Sequence, residues 1–187
     1  MVHSVRYTCV LDTNIIYPLE VRDIMMWFAY YELFTPKWSA TIFTEWKNVM
    51  ERKRIAENEI QKRISILESI FPDAEVKDYQ ELVPSLELPD PNDRHVLAAA
   101  IKANAHIIVT NNLKDFPESY LSKFGIKAIS ADDFLTDLID LNTAIALEAF
   151  KALVLNRTNP EMNAFEVLDI FRSRGLTNTA NYLHAIL

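Results

Sequence analysis

Four carboxylates far apart along the chain, Asp12, Glu45, Asp93 and Asp115, occupy positions from which one pocket could collect them. The densest stretch runs from Pro89 to Pro117 and reads PDPNDRHVLAAAIKANAHIIVTNNLKDFP. Asp90-Pro91 starts a helix there, and Asp93 falls on its first turn. A short apolar strand, His106 to Val109, follows, and Thr110 opens a polar loop that carries Asp115. Asp12 ends the first apolar strand, VRYTCVLDTN. In open α/β sheets the ligand site lies outside the carboxyl ends of the strands, where Asp12 and the loop after Thr110 both belong if their strands are parallel. Carboxylates are hard oxygen ligands suited to magnesium or manganese. Four of them crowded together repel, which raises some pKa values until a cation binds. Such an arrangement makes sense chiefly as a divalent-metal site.

Each acid also has a purely structural reading. Asp12 could anchor a turn after its strand. Asp90, followed by Pro91 at the first helical position, has the pattern of an N-cap, and for it capping is the favoured reading. Asp93 could simply complement the helix dipole, and Asp115 could cap the short helix after Pro117. Glu45 on an amphipathic helix could be a solvated side chain. The set persuades where no member does. The histidines His3, His95, His106 and His184 show no ligand spacing, and His95 reads as a helix-face residue. No H-E-x-x-H, paired C-x-x-C, glycine-rich phosphate loop or serine nucleophile elbow is present, so zinc and P-loop chemistry are set aside.

Strands and helices alternate in the segments that must position these residues. Val5–Leu11, Leu33–Pro36, Ala74–Val76, His106–Val109 and Ile126–Ile129 read as strands. Helices are expected over Asp23–Tyr31, from a Ser39 or Thr41 cap to about Arg54, over Asn58–Ile70, from Pro91 to about Ala103, and after Ser130. Phe116–Phe124 should form a helical turn or two, ended by Gly125. The alternation implies an α/β fold with a mostly parallel central sheet and helices on both faces. Beyond Leu141 only helical stretches remain, Thr143–Leu155, Glu161–Arg174 and Leu176–Leu187. We therefore expect a core over residues 1–140 and a C-terminal helical extension over 141–187, packed on the core or on a partner.

Half of the 187 residues are hydrophobic, which is enough for a packed globule. One cysteine, Cys9, lies in the first strand and suits a reducing, cytoplasmic setting. No apolar run approaches the roughly 20 residues of a membrane span, so no membrane association is expected. The net charge of −7 argues against tight nonspecific nucleic-acid binding. The charge is uneven, however. Lys47, Arg52, Lys53, Arg54, Lys62 and Arg63 outnumber Glu51, Glu57 and Glu59 in one helical region, whereas acids dominate after Ala131. The basic face could meet a phosphodiester or could simply be solvated.

Four separated pieces, in order, carry a family resemblance: VLDTN at Val10–Asn14, TEW around Glu45, DPNDRHVLAAA at Asp90–Ala100 and IVTNNLKDF at Ile108–Phe116. Together, over about Val5 to Leu138, they resemble the PIN-domain nucleases and, among these, the bacterial VapC-type toxins of toxin–antitoxin pairs. The resemblance implies a three-layer α/β/α fold and Mg2+- or Mn2+-dependent hydrolysis of RNA. It assigns Asp12, Glu45, Asp93 and Asp115 as the acids, with Asn14, Thr110 and Asn112 as polar supports and Asp90 as an added acid. Many members carry an Asp where this chain has Asn112, so either Asp115 or Asn112 completes the site. Arg94 and Lys114 become candidate contacts to the RNA backbone. The resemblance implies a small antitoxin as partner, and apolar surface on the helical extension could serve that partner or a homodimer. Two rivals remain. One is a catalytically silent PIN-like module that binds nucleic acid or protein. The other is a phosphatase of the haloacid-dehalogenase type, which Asn14 disfavours because that chemistry needs D-x-D.

Overall fold

The computed structural model describes residues 7–187, so the Val5 and Arg6 start of the expected first strand, and His3, lie outside the described residues. Five strands form one sheet: β1 (Thr8–Leu11), β2 (Thr35–Ser39), β3 (Glu75–Val76), β4 (Ile107–Val109) and β5 (Lys127–Ile129). Their order is β3-β2-β1-β4-β5, and every neighbouring pair is parallel. Cys9, Val10 and Leu11 of β1 are all fully buried. Successive strand residues face opposite sides, so consecutive burial requires helices on both faces of the sheet. The expected α/β architecture is present, parallel throughout.

The chain leaves β1 through a single turn, α1 (Thr13–Ile16), and a longer helix, α2 (Leu19–Tyr30), before entering β2. Pro18 precedes the first residue of α2, and a left-handed Glu32 (φ +62°) ends it, with Leu33 N–H donating to Phe28 O. That closing bond keeps Leu33 and Phe34 out of the sheet. For this reason β2 starts two residues later than the sequence pattern suggested. Ser39 caps α3 (Ala40–Arg52), its Oγ accepting from Ile42 N. Then α4 (Glu57–Ile70) leads to β3 at the sheet edge.

From that edge the chain crosses back over β2 and β1. It passes through a 3-10 turn at Gln80–Ser85 and another at Pro91–Asp93 into α5 (Arg94–Lys102), which packs on β1, β2 and β4. Alanines at positions 98, 99 and 100, all fully buried, allow this close approach. The crossover puts β4 on the far side of β1. The strand order therefore reverses direction between β1 and β4, and a crevice opens beyond their carboxyl ends. After β4 come α6 (Glu118–Leu121), Gly125 in the left-handed region (φ +68°), and β5.

Four helices follow: α7 (Ala131–Leu141), α8 (Thr143–Leu155), α9 (Ala164–Ser173) and α10 (Thr177–Ile186). The third starts later than expected because Asn163 and Glu166 form a reciprocal capping box. Helix α8 lies along α2, and two ion pairs reinforce that side, Arg157 to Asp23 at 3.3 Å and Arg174 to Glu20 at 3.1 Å. Asp132 of α7 reaches the start of α10, accepting from Asn178 N at 2.9 Å, Thr179 N at 2.8 Å and Thr179 Oγ1 at 2.7 Å. Among the described residues no helix is long and apolar enough to cross a membrane.

Asp132 thus satisfies amide donors at the start of a helix that its own helix cannot reach. Replacing it with alanine should cost about 1–2 kcal/mol, the usual loss for an N-terminal cap. Urea unfolding should show the drop in midpoint without a change in slope.

Candidate active site

Asp12 sits at the end of β1, where its amide still donates to Val109 O of β4 at 3.1 Å. Only 5% of its surface is exposed. One carboxylate oxygen accepts from Thr13 N at 2.6 Å, so Asp12 also caps α1. The other accepts from Asn14 Nδ2 and from Thr110 Oγ1, the latter at 2.8 Å. Burial pushes its pKa up, against the pull of these hydrogen bonds, and the Glu45 charge adds to the rise. Thr110 is fully buried just past β4. The turn-anchoring reading of Asp12 is therefore correct as far as it goes, but the carboxylate also faces other acids.

Asn14 and the loop after β4 hold each other. Asn14 Oδ1 accepts from Asn111 N at 3.0 Å, and Thr110 Oγ1 accepts from Asn112 N at 3.0 Å. Asn111 Oδ1 accepts from Ala131 N at 3.2 Å, tying the same loop to α7. The side chain of Asn112 donates to Asp115 Oδ2 at 2.6 Å and to Asp93 Oδ2 at 3.3 Å. An amide at this position thus bridges two carboxylates that would otherwise repel. Asp115 does not cap the following helix, since Pro117 occupies that position without a side-chain bond.

Asp90 does cap its turn, accepting from Asn92 N at 2.8 Å, as the favoured reading had it. Its role is not confined to that. Asp90, Asp93 and Asp115 each offer an oxygen within 4.8 Å of the others. Burial raises the pKa of Asp93 to about 6, with further contributions from Asp12, Asp90 and Asp115. Asp12 and Glu45 are not members of that close group, but Asp12 lies near enough for its charge to act on Asp93, and Glu45 near enough to act on Asp12. Hydrogen bonds through Thr110 and Asn112 connect Asp12 to Asp93 and Asp115.

Glu45 comes in from α3. Its two oxygens are taken by Thr13 Oγ1 and by His95 Nε2, the latter at 2.9 Å. Burial alone would raise its pKa, but these hydrogen bonds and the His95 charge outweigh burial and hold it below the ordinary value. Neither Thr13 nor His95 was a sequence candidate for the site. The usable signal was position alone: Thr13 follows Asp12, and His95 lies two residues after Asp93. Arg94 begins α5 with a buried Nε that meets no partner among the described residues, and the exposed Lys114 lies 4.0 Å from Asp115. Lys47, from the basic helical region, is paired with Glu57 at 2.9 Å.

An all-oxygen donor set, with one carboxyl driven toward protonation by burial and then by its acidic neighbours, fits a hard divalent cation. A parallel α/β sheet that carries acids beyond the carboxyl ends of its central strands is the architecture of a metal-dependent α/β site. The sequence pattern of the PIN domain family matches residues 8–114, and the chain belongs to that family. A second pattern, the VapC50 C-terminal domain, matches residues 131–185, from α7 into α10. A Mycobacterium tuberculosis protein named "Putative ribonuclease VapC50" is 52% identical over 63 residues, which is 34% of this chain and 35% of that protein. The match spans about a third of the length of that curated relative. No solved structure matches the chain. The resemblance drawn from the sequence, to PIN-domain proteins of the VapC type, is borne out.

The raised Asp93 pKa has a definite sign. Below about pH 4 the carboxyl is protonated whether the chain is folded or not. As pH rises through about 6 the folded state must give up that proton or hold it at a cost, and stability is lost. Asp93→Asn removes the cost. In chelator at pH 7 the variant should melt about 2–4 °C above wild type, a value discounted for the partly exposed carboxyl, and the gap should close at pH 4. Calorimetry at the two pH values checks this.

Proposed function

We propose that this protein is a metal-dependent endoribonuclease, the toxin of a type II toxin–antitoxin pair. The observation that supports the reading is the group Asp90, Asp93 and Asp115 in a PIN-family fold, with Asp12 linked to it through Thr110 and Asn112 and Glu45 acting on Asp12 by charge. The printed name of the mycobacterial relative points the same way. Asp12 and Asp93 would hold the principal ion, with Glu45 and Asp115 completing the shell or holding a second. A divalent cation bound there lowers the pKa of its water and neutralises charge on the phosphodiester.

The remaining work falls to the chain. Thr110 and Asn14 keep the Asp12 carboxylate turned toward the crevice, so its buried charge is available without rearrangement. Asn112 keeps Asp93 and Asp115 together while they lack a cation. Lys114, 4.0 Å from Asp115, and Arg94, next to Asp93 in sequence, would meet backbone phosphates, an otherwise unfavourable approach in a chain of net charge −7. Unpaired RNA, whose splayed bases and shape a protein can read, would be the substrate. Residues 1–140 would form the nuclease unit, and the helices of 141–187 would brace α2. The reading entails a small antitoxin that silences the site, and a homodimer; the exposed Leu155 and Phe165 of the extension support an interaction surface there.

Purified protein should cut single-stranded RNA in Mn2+ or Mg2+ and stop in chelator. Asp12→Asn should lower the rate at least about 100-fold, more than loss of a group that merely supports a ligand. Mn2+ should raise the melting temperature of wild type and not of that variant. Equal cleavage by the two proteins would refute the assignment.

A further inference from the structure

Three acid-bearing segments meet at the crevice, and Glu45 is the point where they are joined. Thr13, the residue after Asp12, donates to one of its oxygens, and His95, two residues after Asp93, meets the other at 2.9 Å. These contacts span 32 and 50 residues of sequence. Each neighbour is fixed by its own element: Thr13 opens α1, and His95 lies in the first turn of α5 with a side chain only 12% exposed. Glu45 itself is half-exposed, on a flexible stem that could otherwise turn to solvent.

An ionised carboxylate only accepts, so His95 Nε2 must carry the proton and donate. Its Nδ1 is buried and, among the described residues, has no partner. A buried, unpartnered ring nitrogen is unfavourable for packing alone. The ring is thus placed for what Nε2 does, not for what Nδ1 finds.

We propose that His95 is a positioning residue for the metal site, holding the Glu45 carboxylate, with Thr13, in the orientation that lets it ligate the same cation centre as Asp12 and Asp93. This rests on the metal-site reading above and adds a residue and a role to it. A group that orients a ligand typically changes metal affinity 10–100-fold when removed. Without His95, one Glu45 oxygen loses its donor and the side chain regains rotamer freedom, which binding must then remove.

The test is Mn2+ binding to the full chain without RNA, by titration calorimetry and by the electron paramagnetic resonance of free Mn2+. His95→Ala should weaken binding about 10–100-fold. His95→Gln, which keeps an amide donor at similar reach, should restore most of it. Circular dichroism on both confirms the fold, and Gln remains informative should Ala fail to fold. In a Glu45→Ala background, His95→Ala should have almost no further effect, because a residue acting through Glu45 has nothing left to position. Unchanged affinity in His95→Ala, failure of Gln to restore it, or an equal loss in both backgrounds overturns the proposal while leaving the metal site standing. Absence of Mn2+ binding by wild type, or binding indifferent to Asp12→Asn, overturns the metal-site reading and this inference with it.

Discussion

Asp12 is a buried carboxylate whose surroundings are organised to keep it there. Thr13 N, Asn14 Nδ2 and Thr110 Oγ1 all donate to it, and the last comes from the residue just past the strand that pairs beside it. Removing a carboxylate from water without such donors would be prohibitive. The β1–β4 pairing therefore does two things at once. It closes the centre of the sheet, and it supplies the hydroxyl that makes an acid at the sheet's end tolerable. Every other acid of the crevice is placed relative to that pair.

The acids are not equivalent. Glu45 has donors on both oxygens and is held ionised. Asp93, part-buried and beside Asp12, Asp90 and Asp115, takes a proton more readily. Such division is the usual way for a cluster of like groups to reduce repulsion before a cation arrives. Asn112 contributes by donating hydrogen bonds where an acid would have added another charge. Asp90 restores a carboxylate nearby from the helix start.

The C-terminal helices act at a distance from this chemistry but on the same frame. Helix α2 lies under α8 and carries Glu20 and Asp23, the partners of Arg174 and Arg157. Its Arg22 is buried and donates to Ile16 O at 2.8 Å, the last residue of the turn that Asp12 caps. The extension and the crevice are thus linked through one helix. Asn111, bonded both to Asn14 and to the first residue of α7, provides a second link.

Much of this was legible in the string of residues. Alternating strands and helices, the proline and cap at Asp90-Pro91, Ser39 and Ser130 as caps, and Gly125 as a stop all express local preferences that short segments carry with them. The acids stood out because each falls at the end of such a segment. What the sequence left open was decided by strand order. The crossover that sets β4 beside β1 brings together Asp12 and Thr110, 98 residues apart, and the same packing delivers His95 to Glu45. No local rule distinguishes a histidine on a helix face from one that grips a carboxylate on another helix. That difference exists only once the sheet has fixed which helices are neighbours, because side-chain hydrogen bonds act over about 3 Å and cannot be read from sequence separation.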